Sequence, residues 1–447
     1  MASRPTTTAA FLSVTTLFFA WGFITSLVDP LVASVKGIFS LSDVMAQLSA
    51  SAYFAAYGLV SIPAAVLVAR RRSVPSILIA LAMMIAGCLI MLIAANAAVY
   101  AVVLAGLFIL ASGITILQVA ANPLAAALGA PERSHFRLTL SQTFNSLGTF
   151  IGPLIGGALF LEGLEVKEGT TVTDAVRDQA LIGIDRAYFW IAGLIALLFA
   201  FFFFARRTVE AAAPPPAGAR GAGAILSEAL ASRWARLGAL AIFLYVGAEV
   251  AIGTMMALFL NADSVWGQSD AAQAFPLFHA FIAFDDVPGM SLQEAAKLVA
   301  FYWGGAMVGR LIGTALLARF RATRLLAGAT AAAALMCLFV VAVGGVAAGF
   351  VALAIGLFNS IMFPTIFTIT LERSTASAEA TSGLLCTAII GGAVLPPLVG
   401  LVSQSAGYSA AFALPMLCYA ALCAFAVAAG RATIAHRSGE PAAATIH

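Results

Sequence analysis

The stretch PSILIALAMMIAGCLIMLIAAN, residues 75–96, contains no charged side chain and decides which solvent surrounds this chain. A helix that crosses the hydrocarbon core of a bilayer needs about 20 predominantly apolar residues. Stretches of that kind follow one another along the sequence, so we predict twelve membrane-spanning helices. Their predicted bounds are 8–34, 44–69, 75–96, 98–127, 138–161, 187–205, 237–261, 295–318, 325–344, 347–371, 381–403 and 408–430.

The composition of the whole chain agrees with this interpretation. Of its 447 residues, 62% are hydrophobic and only 10% are charged, with a mean hydropathy of +1.02. These values lie far outside the range of soluble globular domains. The apolar runs are also too long for strands, and they lack the alternation of a membrane barrel. We therefore predict an all-α membrane protein.

Basic residues orient the bundle, because Lys and Arg accumulate in cytoplasmic loops. With the N-terminus in the cytoplasm, the outer loops hold five of the 23 Lys and Arg, one lies within a span, and the remaining 17 fall on the inner side. Both termini are therefore predicted to be cytoplasmic, in a bacterial inner membrane. The first apolar segment is long and has no small-residue cleavage site, so no signal peptide is predicted. The net charge of +3 reflects this topology, and we expect no nucleic-acid partner.

Residues 206–236 interrupt the series of apolar runs with a stretch rich in Ala, Pro and Gly. We interpret this stretch as a cytoplasmic linker that cannot bury a core. It divides the chain into an N-terminal half (1–205) and a C-terminal half (237–430) of six helices each, followed by a cytoplasmic tail (431–447). The halves share short strings: FFAWG and FLYVG, ending at Gly22 and Gly247, and GTFIGPLIG and GAVLPPLVG, starting at Gly148 and Gly392. Such a parallel repeat predicts a binding site between the halves.

Several function classes find no support in the sequence. The five cysteines all fall in predicted spans without metal-ligand spacing, and we interpret them as small packing residues. There is no HExxH, GxSxG, phosphate-loop or dinucleotide-binding string, so we predict neither an enzyme, nor a metal site, nor a cofactor.

Apart from Lys297, which stands at the outer edge of its span and is counted with the outer loops, three ionisable residues lie within predicted spans, namely Asp29, Glu249 and Arg310. Each costs on the order of 2.5–3.5 kcal/mol by insertion scales, and so needs a reason. Glu249 and Arg310 lie near the centres of sequential helices, either as a buried ion pair that fixes packing or as part of a functional site. For Asp29, the first six spans contain no basic residue that could form an ion pair with it. It either reaches the headgroups near Lys36 or faces an aqueous cavity as a proton-coupling carboxylate.

Uncharged polar residues form stripes at helical spacing on several spans. One stripe is typical of contacts between helices, whereas several stripes favour a lined pathway. Amides and aromatic planes suit a neutral, hydroxyl-rich solute. The predicted substrate-binding residues are Trp21, Tyr53, Tyr57, Gln118, Asn122, Gln142, Asn145, Glu249, Trp303, Arg310 and Asn359, and the predicted proton-coupling residues are Asp29 and Glu249.

Six strings make the chain recognisable: FFAWGFITSLVD, ILQVAANP, RLTLSQTFNSLG, YVGAEVAIG, FYWGGAMVGRLIG and FPTIF. Taken together, they resemble the major facilitator superfamily and, within it, the fucose/galactose/glucose proton symporters. The resemblance covers nearly the whole transmembrane chain. It implies alternating access, and a proton-coupling role for the carboxylate that ends the first string, which is Asp29 here. A helix 4 carboxylate of the fucose members is replaced by Gln118, and Glu249 stands where they have an amide. This exchange resembles the glucose, galactose and N-acetylglucosamine branch.

The resemblance thus implies a monosaccharide importer driven by proton symport, and we expect it to act as a monomer. Two alternatives remain open. An exporter of drugs or metabolites would share the scaffold, although the loop between helices 2 and 3 reads VARRRS and lacks the acidic residue of the usual signature. A sugar sensor that does not transport would share the binding residues.

Overall fold

A computed structural model describes residues 4–38, 43–97, 99–160, 174–215, 221–280, 282, 284 and 289–435. Within these ranges, side chains are described except at 4–6, 25, 27–53, 95–97, 152–184, 187 and 292–293. The described residues are almost entirely helical.

Seventeen α-helices follow one another along the described chain. They are α1 (Arg4–Ile38), α2 (Asp43–Arg71), α3 (Ser73–Ala97), α4 (Tyr100–Ala127), α5 (Ser134–Phe160), α6 (Asp174–Ala212), α7 (Ala222–Ala231), α8 (Arg233–Asn261), α9 (Pro276–His279), α10 (Leu292–Leu317), α11 (Ala322–Val343), α12 (Gly345–Asn359), α13 (Met362–Arg373), α14 (Ala378–Thr387), α15 (Gly391–Ala406), α16 (Tyr408–Ala411) and α17 (Ala413–Arg431).

Each predicted span falls on a single helix, except the tenth, eleventh and twelfth, each of which comprises two consecutive helices. Eleven helical stretches of the described chain are long and apolar enough to cross a bilayer. The fifth predicted span, 138–161, falls on α5, which has 27 residues. The all-α membrane fold predicted from the sequence is therefore confirmed.

The tenth and eleventh predicted spans are not continuous helices. The tenth consists of α12 and α13, separated at Ser360 and Ile361. The eleventh consists of α14 and α15, joined by a single 3₁₀ turn at Ala388–Ile390. Pro364 follows the first interruption, and a proline has no N–H to donate to the carbonyl four residues earlier. The apolar pattern runs through both interruptions, which is why hydropathy alone does not reveal them.

Part of the predicted linker is folded. Residues 222–231 form α7, in which Ile225 and Ala229 are buried. The Glu228 carboxylate accepts a hydrogen bond of 2.7 Å from the backbone N–H of Ser377, which is the N-cap of α14. An acidic group at a helix N-terminus is electrostatically favourable. The linker is thus anchored at its centre, which its Ala- and Pro-rich composition did not predict.

The chain divides into two compact units. The first comprises Met1–Arg236, Thr370–Ala388 and Ile434–His447, and the second comprises Leu237–Ile369 and Ile389–Thr433. The end of α13 and the whole of α14 therefore pack with the N-terminal helices. Ser382 on α14 donates a hydrogen bond of 2.9 Å to the carbonyl of Val119 on α4, and Gly383 lies against Ala65 on α2.

In the first unit, α1 and α5 cross at two glycines. A Cβ atom on Gly22 would lie 2.0 Å from the backbone oxygen of Asn145, and one on Gly148 would lie 2.2 Å from that of Phe19. Only glycine permits such an approach between helix backbones. In the second unit, α8 and α15 repeat this contact, since a Cβ on Gly391 would lie 2.2 Å from the oxygen of Phe243. The paired helices are those in which the sequence shows its internal repeat.

Candidate functional site

A first polar cluster lies between α2 and α4 in the first unit. Gln118 Nε2 donates a hydrogen bond of 2.6 Å to Tyr57 Oη, and both side chains are buried. Tyr57 on α2 faces α4, where every residue from Leu110 to Asn122 is buried. A phenol held by an amide in this way keeps a fixed direction for its remaining hydrogen-bonding capacity.

Asn122 and Gln142 form a second pair, between α4 and α5. Gln142 Nε2 donates to Asn122 Oδ1 over 3.3 Å. The Asn122 side chain is fully buried, and within the described residues its Nδ2 atom has no hydrogen-bond partner. A buried donor without an acceptor is costly, so this amide is ready to bind a ligand oxygen or an ordered water.

Asn145 and Trp21 lie where α1 packs against α5, and not between α4 and α5. Asn145 Nδ2 donates a hydrogen bond of 3.0 Å to the backbone oxygen of Phe18, across the α1–α5 crossing. Trp21 is buried beside Phe18, with their ring centroids 5.7 Å apart. The Asn145 amide therefore joins α1 to α5, whatever else it contacts.

A third cluster lies in the second unit, around Glu249 on α8. The Glu249 carboxylate faces the hydroxyl of Tyr245, one helical turn earlier, and interacts with the charge of Arg310 on α10. The backbone oxygen of Glu249 accepts a hydrogen bond of 3.2 Å from Tyr302 Oη. Tyr302 in turn accepts one of 2.7 Å from Asn359 Nδ2 on α12.

Two further polar groups of this cluster are fully buried, the Asn359 amide and the Tyr419 hydroxyl. Among the side chains that the structure describes, Asn359 Oδ1 and Tyr419 Oη have no partner at hydrogen-bond distance, although the two side chains interact with each other. Trp303, by contrast, is 46% exposed and packs beside Gly253 and the ring of Tyr302. The cluster thus combines a carboxylate, a guanidinium, an amide and three phenols.

The structure brings most of the predicted residues into these clusters. In the first unit Tyr57 pairs with Gln118 and Asn122 pairs with Gln142, and in the second unit Glu249, Arg310 and Asn359 belong to one cluster. The side chains of Asp29 and Tyr53 lie outside the described residues, so their roles stay predictions.

Sequence reasoning missed the three tyrosines around Glu249, namely Tyr245, Tyr302 and Tyr419. Tyr245 and Glu249 are four residues apart on one helix, and that spacing places them on the same face. Tyrosine is a common packing residue, which is why the pattern did not single them out.

Sequence reasoning also missed a group at the end of α13, which we call the Glu372 cluster. Glu372 Oε1 accepts a hydrogen bond of 3.0 Å from Ser134 Oγ and lies 3.0 Å from His135 Nε2. Its other oxygen is 3.3 Å from Arg373 Nη1. Ser134 and Glu372 are 238 positions apart, so no local pattern connects them.

Arg137, two residues after His135, stabilises the end of α4. Its guanidinium is buried and donates hydrogen bonds to the backbone oxygens of Ala125, Ala126 and Ala130. The carbonyls of Ala125 and Ala126 belong to the last turn of α4, where no helical N–H reaches them, and the Ala130 carbonyl lies just beyond and also accepts from the Arg133 N–H. A cation at that end also complements the helix dipole.

Comparison with known proteins connects this arrangement to a family. Residues 10–385 match the profile of the Major Facilitator Superfamily. The chain belongs to the major facilitator superfamily. A glucose/galactose transporter of Brucella abortus is 38% identical to it over 415 residues, which are 92% of either chain. The L-fucose-proton symporter of Escherichia coli is 29% identical over 427 residues, covering 93% of this chain and 92% of the symporter.

The fold of this superfamily member also resembles a solved structure. A variant of the Escherichia coli fucose:proton symporter superposes with a TM-score of 0.80 at 26% identity, covering 94% of this chain and 98% of the symporter. A putative glucose/galactose transporter of Helicobacter pylori is 30% identical over 430 residues. The resemblance inferred from the sequence strings is therefore confirmed.

Proposed function

We propose that this protein imports a monosaccharide by proton symport and alternating access, with a hexose of the glucose or galactose type as substrate. The observation that carries the proposal is the set of buried amide atoms that have no partner at hydrogen-bond distance within the described clusters, Asn122 Nδ2 in the first unit and Asn359 Oδ1, beside Tyr419, in the second. Sugar hydroxyls donate and accept hydrogen bonds, so they match an open amide donor and an open amide acceptor equally well.

Several observations support a sugar over an apolar drug. The side chains around Asn122 and Asn359 are amides and phenols, and tyrosine faces also pack on sugar C–H surfaces. The relative from Brucella abortus is named a glucose/galactose transporter. The relatives from Escherichia coli and Haemophilus influenzae are named L-fucose-proton symporters. The alignments with these relatives cover more than nine-tenths of this chain.

Proton coupling is assigned to Asp29 and Glu249 as part of the same proposal. Glu249 is a carboxylate in an apolar span, and ionisable groups at such positions mark substrate pathways and proton relays. It faces the Tyr245 hydroxyl and the Arg310 guanidinium, so a proton or a ligand at this carboxylate changes its interaction with both groups.

Uptake into proteoliposomes tests this function. Purified protein should accumulate radiolabelled D-galactose or D-glucose against its gradient when the lumen is more alkaline than the medium. A protonophore should abolish accumulation but leave counterflow exchange. L-Fucose and N-acetylglucosamine, offered as competitors, define the preferred stereochemistry. Binding without counterflow would indicate a sensor, and efflux of an apolar drug without sugar uptake would indicate an exporter.

A further inference from the structure

The interruption between α12 and α13 leaves the Ser360 carbonyl without its usual donor and places the Asn359 carbonyl at the end of a helix, both inside a predicted span. The Ser360 carbonyl would normally accept from the N–H of residue 364, which is a proline and has none. The Asn359 carbonyl lies at the last residue of α12. Inside a membrane each such group costs several kcal/mol unless it is satisfied within the protein.

Side chains from two other helices satisfy these carbonyls. Arg310 Nε on α10 donates to the Ser360 oxygen over 2.9 Å. Tyr245 Oη on α8 donates to the Asn359 oxygen over 3.2 Å. A guanidinium can replace an amide here because it carries several N–H groups in a fixed plane and stays charged.

The approach of α10 to the interruption depends on its glycines. A Cβ on Gly309 would lie 2.1 Å from the Leu357 oxygen and 2.6 Å from Ser360 Oγ, and one on Gly313 would lie 2.1 Å from Ile361 Cγ2. The backbone of Arg310 is thereby held against Ser360. Ser360 itself keeps helical angles, with φ −48° and ψ −48°, so the chain direction is preserved while the hydrogen-bond ladder is broken.

Glu249 faces both of these donors. The Tyr245 hydroxyl and the Arg310 charge interact with its carboxylate as well as with the carbonyls of the interruption. A charged Glu249 therefore competes with the Asn359 carbonyl for the single hydroxyl hydrogen of Tyr245, and it attracts the Arg310 guanidinium whose Nε–H serves the Ser360 carbonyl. When the carboxylate is neutralised by a proton or occupied by a ligand hydroxyl, the competition ends.

We propose that Tyr245 and Arg310 are positioning residues that hold the interrupted tenth membrane-spanning helix, and that they transmit the state of Glu249 to it. A proton or ligand at Glu249 frees the Tyr245 hydroxyl for the Asn359 carbonyl and removes the pull of the carboxylate on the Arg310 guanidinium, so the hydrogen bonds to both carbonyls become stronger. This inference rests on the proposed function only in naming Glu249 as the group whose state changes. The structural part, donation by Arg310 to the Ser360 carbonyl, is independent of it.

A double-mutant cycle between Arg310→Met and Pro364→Ala tests the structural part. Alanine at 364 restores the N–H that Ser360 lacks, so loss of the guanidinium should matter less in that background. We expect the fall in melting temperature of detergent-solubilised Arg310→Met to shrink by about half or more, because residues that share a partner couple strongly. The matched control is Pro415→Ala, near the start of α17, which should be additive with Arg310→Met. Additive effects for Pro364→Ala as well would overturn this part of the proposal.

Hydrogen exchange tests the transmission. Glu249→Gln, a mimic of the neutral carboxylate, should slow amide exchange in a peptide covering residues 355–366, with no change in a peptide from α11. In Arg310→Met and Tyr245→Phe backgrounds the same substitution should leave the 355–366 peptide unchanged. A purely structural role would not move this readout. Slowing that persists in both backgrounds, or is absent in the wild-type background, would overturn the transmission. Neither measurement involves sugar, so failure here is distinct from failure of the transport assay.

Discussion

His135 Nε2 lies 3.0 Å from Glu372 Oε1, at a point where the first residues of α5 meet the last residues of α13. The same carboxylate oxygen accepts the hydroxyl hydrogen of Ser134. By the topology predicted from the arginines, both helix ends lie on the cytoplasmic side. A carboxylate from the C-terminal half of the sequence is thus held by side chains from the N-terminal half, within one compact unit.

Replacement of Glu372 should lower stability. Glu372→Gln leaves His135, Ser134 and Arg373 without their shared anion, and loss of a buried charged partner costs about 1–3 kcal/mol or more. The melting temperature of the purified protein should therefore fall. Glu210→Gln on α6, which makes the same chemical change at a half-buried position, is the control and should have little effect. Equal melting temperatures for the two variants would show that the Glu372 cluster does not contribute to the stability of the folded protein.

The amide pairs of the first unit should contribute to sugar affinity unequally. Gln118→Ala and Gln142→Ala should weaken binding about five- to 150-fold, since a lost hydrogen bond to a buried hydroxyl costs roughly 1–3 kcal/mol. Asn145→Ala should instead lower the melting temperature, because its amide donates to the Phe18 carbonyl. Equilibrium binding and thermal unfolding, measured on all three variants, separate the two effects. Unchanged affinity in both glutamine variants would mean that the stripes only pack helices.

Asp29→Asn should abolish accumulation against a gradient while sugar exchange persists. The prediction depends on the sequence, in which the first six spans offer Asp29 no basic partner. An asparagine keeps the shape and polarity of the side chain but has no carboxyl group that can bind and release a proton. Gradient-driven uptake and counterflow, compared in the same proteoliposomes, check it. Normal accumulation by the variant would remove Asp29 from the coupling mechanism.

Glu249→Gln should preserve the fold, because the substitution is nearly isosteric and the Tyr245 and Arg310 donors keep their backbone acceptors. It should abolish transport, because the amide cannot bind and release the coupled proton. Arg310→Met should lower the melting temperature, since it strands the Glu249 charge and the Ser360 carbonyl together. Melting temperature and uptake are measured for both variants and for the double variant. If the double variant recovers both quantities, Glu249 and Arg310 form a structural ion pair and Glu249 has no role in transport.

Sequence alone determined the membrane environment, the helical class and the positions of nearly all the spans. Hydropathy suffices for these, because a helix in lipid must bury its own backbone hydrogen bonds and present apolar side chains over a fixed length. The same reasoning identified Glu249 and Arg310, since an ionisable group stands out in an apolar run whatever its partners are. It also found Gln118, Asn122 and Gln142 from helical spacing.

Only the tertiary structure decided what these groups contact. Asn145 and Gln142 are one helical turn apart on α5, yet one amide joins α1 and the other joins α4, because the glycine crossing brings α1 against a single side of α5. The Glu372 cluster and the donation from Arg310 to Ser360 connect residues 238 and 50 positions apart. Contacts of that range depend on how helices pack, and helix packing depends on the shapes of facing surfaces, which a one-dimensional pattern of polarity does not specify.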